Sequence, residues 1–326
     1  MQAGTSRRGR RAIVLWAMVM GGCNRHQSVF ASFGEEAAGI NHVTLVMVAG
    51  GLLVAAGVAG LMAWAVRARP GALSLRGGER LILIAGGLIP ALVLAALLAF
   101  SLPYMRPRAV APADLRIDVA GEQFWWRVAY RPAEGTAVVS ANEIRIPVGR
   151  TVLFRLSGSD VVHSFWIPGL AGKMDMIPGR TNELPVRATR PGRFRGQCTE
   201  FCGLSHALMA FDVVAMPAAD FDRWLAAQRR PALARADAGA ALFLRHGCGG
   251  CHAVRGTAAT GTIGPDFTHL AARATIGAGT LANTEAARLR FLRAPAAVKP
   301  GARMPAYPQL AETEARAIAR YLGSLQ

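Results

Sequence analysis

The stretch GQCTEFCGLSHALMAF, residues 196–211, decides the reading of this chain. It gathers Cys198, Cys202, His206 and Met209, with Glu200 between the two cysteines. A second histidine, His163, stands upstream in GSDVVHSFWIP, residues 158–168. Two thiolates, two imidazoles and a thioether form a soft donor set, which selects copper over hard cations. A mononuclear blue-copper centre needs fewer donors than this, and the additional Cys and His imply more than one metal. Thiolates four residues apart can both bridge a pair of ions. Charge shared across such a pair, in a site fixed by a rigid sheet, leaves geometry almost unchanged when one electron enters or leaves. That suits an electron relay better than substrate chemistry. A disulfide between Cys198 and Cys202, or a zinc site that leaves Met209 idle, competes for the same residues.

The segments flanking this stretch carry a strand period. LRIDV (115–119), EIRI (143–146) and TVLFR (151–155) alternate apolar and polar residues between Gly and Pro punctuation, as in a small β-sandwich from about Ala113 to Ala218. Further upstream lie apolar runs at 43–66 and 81–104, each near the ~20 residues that cross a bilayer as a helix. Gly50, Gly51, Gly57 and Gly60 in the first run would let a neighbouring helix approach closely. Between the runs, Arg67, Arg69, Arg76 and Arg80 face only Glu79, and a short loop this basic stays cytoplasmic. Everything after about Pro107 is therefore expected on the outer face. Residues 1–23 read as an export signal, RRGRR followed by an apolar run and small residues. Met20-Gly21-Gly22-Cys23 resembles a bacterial lipoprotein cleavage box, with Cys23 as the lipidation site; a plain signal peptide or a retained anchor are the alternatives.

Composition agrees with membrane segments. Of 326 residues 52% are hydrophobic and 17% charged, with a mean hydropathy of +0.28. The net charge of +17 does not indicate nucleic-acid binding: aromatics are 7%, no finger spacing accompanies the charge, and much of it flanks the apolar runs. The five cysteines, one alone and four in two close pairs, fit metal or cofactor attachment better than a disulfide framework.

The second close pair stands in Cys248-Gly249-Gly250-Cys251-His252, a direct C-x-x-C-H haem attachment sequence. Thioether bonds from Cys248 and Cys251 would hold the porphyrin, and His252 would supply the proximal ligand. Met304 in GARMPAY (301–307) is the expected sixth ligand, with His269 and His246 as competitors; the Arg-Met-Pro context and Gly264-Pro265 resemble class I cytochromes c. A helix through Leu242 and Phe243 should pack against a terminal helix, Glu312 to Leu322, whose Ala315, Ile318, Ala319 and Leu322 share one face. A further short helix is expected from Phe221 to about Arg229.

Residues 198–209 with His163 resemble the dinuclear copper A motif of cytochrome c oxidase subunit II, and the hairpin with an outer β-sandwich resembles the same family. The resemblance implies that Cys198 and Cys202 bridge two coppers and that His163 and His206 each bind one. Met209 then completes one coordination sphere and the Glu200 carbonyl the other. The Glu200 carboxylate would help hold an interfacial Mg²⁺ or Mn²⁺ shared with subunit I. Asp160 and Asp175 match acidic positions that flank the family's site. The family's aromatic stretch, commonly GHQWYW, is here Gly121-Glu122-Gln123-Phe124-Trp125-Trp126, with Phe124 in place of the tryptophan that often receives electrons. Phe124, Trp125 and Trp126 are thus the electron-entry candidates. The glutamate that many members carry in the second membrane helix is missing from Leu83 to Pro90, and Glu79 is only a near neighbour.

With the haem sequence, the pattern resembles the fused, caa3-type form of that subunit. It implies a multi-domain chain: signal 1–23, transmembrane helical hairpin 40–107, cupredoxin-like β-sandwich 108–218, linker 219–236 and a small all-α cytochrome c domain 237–326. The implied function is electron entry into a proton-pumping terminal oxidase of the bacterial cytoplasmic membrane. Its partners would be subunit I, subunit III and smaller subunits, membrane lipid, and a cytochrome c or upstream respiratory complex as donor. A copper A-containing nitric oxide reductase and a lipid-anchored copper-binding protein are the alternative readings. Nitrous oxide reductase would need a large catalytic domain that is absent here, and quinol-oxidising relatives lack the copper ligands.

Overall fold

A computed structural model describes residues 27–105, 113–132, 135–233 and 237–326. The expected export signal and Cys23 lie outside these residues. The chain divides into two units, residues 38–109 and the remainder.

The first unit is built on two helices, α1 (Glu35–Arg67) and α2 (Leu75–Met105), whose most apolar stretches have mean hydropathies of 2.3 and 2.7 and bury no residue. Both helices extend past the apolar runs. Glu35 and Glu36 occupy the first turn of α1, where the helix dipole favours carboxylates. Ser74 caps α2, its Oγ accepting from the Gly77 amide at 3.1 Å. Within α2 the backbone widens to a π-helical segment, Ile82–Leu88. The helices meet where the His42 ring lies 5.8 Å from Phe100 and 6.4 Å from Tyr104. Among the described residues nothing comes within 4 Å of a Cβ at Gly50, Gly51, Gly57 or Gly60, so this glycine face is open.

In the second unit, ten strands form two sheets. They are β1 (Leu115–Glu122), β2 (Trp125–Arg131), β3 (Val138–Ala141), β4 (Glu143–Pro147), β5 (Val152–Gly158), β6 (His163–Trp166), β7 (Met174–Met176), β8 (Asn182–Val186), β9 (Gly192–Cys198) and β10 (Ala210–Met216). One sheet runs β3-β2-β1-β5-β8, the other β4-β10-β9-β6-β7. In each, one parallel pair (β1 with β5, β10 with β4) joins otherwise antiparallel neighbours. The alternation read in 115–119 appears as alternating burial along β1, so Leu115, Ile117 and Val119 enter the core. At the centre, Phe165 stacks on Phe211 at 4.5 Å and Trp126 meets Phe211 edge-on at 4.9 Å. Gly196 makes this possible, since a Cβ there would sit 2.2 Å from the Phe211 ring.

Helix α3 (Ala218–Gln228) closes the sandwich, its Phe221 packed near Tyr130. The helical region beyond comprises α4 (Ala238–Arg245), a two-residue-stranded hairpin β11 (Thr275–Ile276) and β12 (Leu281–Ala282), α5 (Glu285–Arg293), α6 (Pro295–Val298) and α7 (Glu312–Leu322). Asp237 caps α4 through the Ala240 amide at 3.0 Å. Phe243 of α4 meets Tyr321 of α7 at 5.7 Å. The helices cross closely because a Cβ at Gly239 would lie 2.4 Å from the Ala317 carbonyl oxygen. Ala315, Ile318, Ala319 and Leu322 are buried, as their spacing predicts.

Candidate metal and haem sites

The pairing of β6 with β9 sets Phe165 opposite Cys198, which brings His163 to a thiol thirty-five residues downstream. Cys198 Sγ lies 3.8 Å from His163 Nδ1 and 3.8 Å from Cys202 Sγ. Cys202 Sγ lies 3.7 Å from His206 Nδ1 and 3.8 Å from Met209 Sδ. The Glu200 carbonyl oxygen is 3.2 Å from Cys198 Sγ. Each sulfur is thus flanked by one imidazole, with the thioether on one side and the carbonyl on the other. His163, Cys198, Cys202 and Met209 are buried. A sulfur–sulfur distance of 3.8 Å rules out a disulfide, whose S–S bond is ~2.05 Å. It also lets both sulfurs reach a common ion at thiolate bond lengths of ~2.3 Å. The donors present therefore fit a compact soft-metal pair.

The two thiols share a proton. The contact with Cys202 holds the Cys198 thiol well below its ordinary pKa, while the same contact and burial push Cys202 up. Losing the second proton requires nearby positive charge, which bound metal supplies.

His163 is held from behind. Its Nε2 lies 2.9 Å from Asp160 Oδ1, which turns Nδ1 toward the sulfurs. Burial opposes a charge on His163, but the Cys198 and Asp160 contacts outweigh it and raise the imidazole's pKa. Asp160 also accepts from the Gln123 and Val161 amides, each at 2.8 Å, and from Arg303 at 2.9 Å. Gly121 leaves room for the His163 ring; a Cβ there would sit 2.8 Å from it. Asp175 lies farther out, taking a 2.8 Å hydrogen bond from Ser164, the residue after His163.

The haem-attachment sequence follows α4 after Gly247, whose φ of 74° reverses the chain. Cys248, Cys251, His252 and Met304 line one cavity of about 420 Å³. His252 Nδ1 hydrogen-bonds the Pro265 carbonyl at 2.8 Å and the ring stacks on Phe267 at 4.0 Å, leaving Nε2 as the donor atom. Burial lowers the His252 pKa and favours the neutral imidazole that a ligand must be. Gly264 is the cradle behind it, since a Cβ would lie 2.4 Å from His252 Cε1. This apolar cavity, with an oriented imidazole and a thioether on its wall, fits a covalently held haem. The competitors lie elsewhere: His269 Nε2 is 3.2 Å from the Arg230 carbonyl and His246 is 3.8 Å from Glu314, and neither lines the cavity.

Phe124 and Trp125 line the same cavity from the sandwich side. The Phe124 ring sits between two glycines, 3.2 Å from a Cβ position at Gly203 of the donor loop and 3.0 Å from one at Gly301. Gln123 Nε2 donates to the Cys202 carbonyl at 2.6 Å. Trp126 is fully buried, its ring 6.3 Å from that of His163. Sequence reading missed Gln123, Lys299 and Arg303; only Arg303 carried a signal, its place beside Met304.

Fold and sites together define a multi-domain class of protein: a cupredoxin-like domain with a His/Cys/Cys cluster suited to a soft metal, joined to a small helical domain with a haem-attachment sequence and to two apolar helices. Residues 128–216 match the family described as cytochrome c oxidase subunit II, periplasmic domain, and residues 236–326 match cytochrome c. Similar chains include cytochrome c oxidase subunit 2 of Alkalihalophilus pseudofirmus, 41% identical over 64% of this chain and 61% of the relative. The subunit of Bacillus sp. PS3 is 36% identical over 64% of this chain and 62% of its own length. The periplasmic domain of subunit II of cytochrome oxidase from Bradyrhizobium japonicum is 32% identical, covering 37% of this chain and 97% of that structure, with a TM-score of 0.35. The chain spans about three fifths of the length of the curated relatives it matches. It is a cytochrome c oxidase subunit II homologue with a fused cytochrome c domain.

Proposed function

We propose that this chain is the electron-entry subunit of a proton-pumping haem–copper terminal oxidase. Dinuclear copper and covalent haem c, when bound, supply one-electron redox chemistry. Cys198, Cys202, His163, His206, Met209 and the Glu200 carbonyl would hold the metal pair, with the two thiolates shared between the ions. Cys248 and Cys251 would anchor the porphyrin, and His252 and Met304 would be its iron ligands. The observation that carries this reading is the shared wall between the sites: Gln123 bonds the Cys202 carbonyl, and both Gln123 and Phe124 line the haem cavity. Phe124 and Trp125 face the haem side, while Trp126 lies against His163. Fusion replaces a diffusional encounter by a fixed contact.

The proposed domain limits are those of the sequence reading, with 1–23 a lipoprotein-type signal and Cys23 its lipidation site. The hairpin spans the bacterial cytoplasmic membrane twice, and the metal and haem domains face outward. Subunit I accepts the electron and reduces O₂; subunit III and smaller subunits complete the complex. A cytochrome c or upstream respiratory complex is the donor. The Glu200 carboxylate reaches toward an interfacial Mg²⁺ or Mn²⁺, and Asp175 steadies the strand that carries His163.

The test is low-temperature EPR on the full oxidised chain, made with copper and haem maturation and held in detergent. A delocalised two-copper signal beside low-spin haem is expected. Haem alone in a copper-replete, folded sample would overturn the copper assignment. A second expected result concerns His163: Asp160→Asn weakens the charge that orients its ring and lowers copper affinity about 10–100-fold, the usual cost of losing such a partner. Chelator competition measures it, and unchanged affinity would assign Asp160 to domain contact alone.

A further inference from the structure

Resting on the copper reading above, we infer that Lys299 of the cytochrome domain positions Met209, so that the copper site is completed by residues outside the sandwich. Both peptide groups flanking Met209 are held from the cytochrome side. The Leu208 carbonyl accepts from Lys299 Nζ at 2.9 Å; Thr280 Oγ1 stands 3.3 Å from it but gives its single proton to the Gly277 carbonyl at 2.7 Å. The Ala210 amide donates to the Ala278 carbonyl at 3.0 Å. Lys299 Nζ also donates to the Gly277 carbonyl at 2.8 Å, so one amine ties the donor loop to the tip of the β11–β12 hairpin.

That tip is shaped for insertion. Gly277, Ala278 and Gly279 have φ values of 62°, 57° and 75°, three consecutive left-handed residues. For alanine this is a strained backbone. Ala278 is wholly buried within the sandwich core, and a Cβ at Gly279 would stand 3.1 Å from Ala210 Cβ. Lys299 is 3% exposed, and a buried amine persists only where its N–H groups are satisfied. Burial lowers its pKa to about 7. Either protonation state keeps N–H groups for both carbonyls, so the clamp does not depend on charge.

A thioether is a weak copper ligand whose distance tunes the centre. Removing Lys299 loosens the peptide group that precedes Met209 without touching any donor atom. The experiment compares Lys299→Met, Met209→Leu and the double variant in the full, copper- and haem-loaded chain. Lys299→Met is expected to shift the copper EPR hyperfine pattern and midpoint in the direction of Met209→Leu while the haem stays attached and low-spin. The double variant should add little to Met209→Leu, because the clamp acts through that side chain. Lys299→Arg should restore part of the native signal. A native copper signal in Lys299→Met, or full additivity in the double variant, overturns the inference while leaving the copper reading intact. Absence of a two-copper signal in the unaltered chain overturns that reading itself. If Lys299→Met does not fold, Thr280→Val, which removes the hydroxyl that holds the Gly277 carbonyl to which Lys299 is tied, decides by the same spectra: a small shift in the Met209→Leu direction supports the inference and an unmoved signal rejects it.

Discussion

Cys202→Ser abolishes the delocalised two-copper signal and leaves haem c in place. Cys202 stands 3.8 Å from Cys198, 3.7 Å from His206 and 3.8 Å from Met209, at the centre of one half of the donor set. A serine hydroxyl is harder and far less acidic than a thiol, so the soft bridge between two ions is lost. At most a single localised copper remains, on Cys198 and His163. The fold survives, because Cys202 contributes a small side chain at the edge of the core and a buried hydroxyl without a partner costs about 1–3 kcal/mol. EPR and metal content per chain measure the result; a persisting delocalised signal would mean that one thiolate suffices and would sink the two-bridge assignment.

Met304→Ala keeps the haem covalently attached and removes its sixth ligand. The haem midpoint then falls by at least about 0.1 V, a modest part of the roughly 0.8 V that axial ligands can span. Since a thioether raises the potential relative to a nitrogen ligand, the direction is fixed by which donor replaces it. His269 is bonded to the Arg230 carbonyl, and neither it nor His246 lines the cavity, so neither replaces Met304 without moving the backbone. Loss of the sulfur-to-iron absorption band, with the reduced-haem bands kept, is the expected spectrum. An unchanged band would place the sixth ligand elsewhere.

Much of this architecture was legible because chemistry-bearing residues cluster in sequence. C-x3-C-x3-H-x2-M and C-x-x-C-H each announce a site, and the period of β1 and of α7 reports the faces they bury. His163 joined the donor set by residue type alone; its place beside Cys198 depends on β6–β9 pairing, which no local pattern encodes. The helix ends were also missed, since α1 begins with two glutamates that hydropathy cannot see but a helix dipole welcomes. Least legible were the contacts between sandwich and cytochrome. Lys299 reads as one more basic residue in a basic chain, and Ala278 as one more alanine in a loop. Their significance comes from two carbonyls and a slot supplied by residues some seventy to ninety positions away.

Ala278 has a bearing on modularity. Its methyl belongs to the hydrophobic interior of one domain although the chain delivers it from another. Two domains joined in one chain would be expected to remain exchangeable parts, yet here they interlock beside Met209. Cutting the chain after the sandwich leaves an open socket beside Met209, and grafting a foreign cytochrome leaves the same socket unless it brings its own Gly-Ala-Gly key. For anyone shortening or rebuilding this protein, the natural unit is the pair.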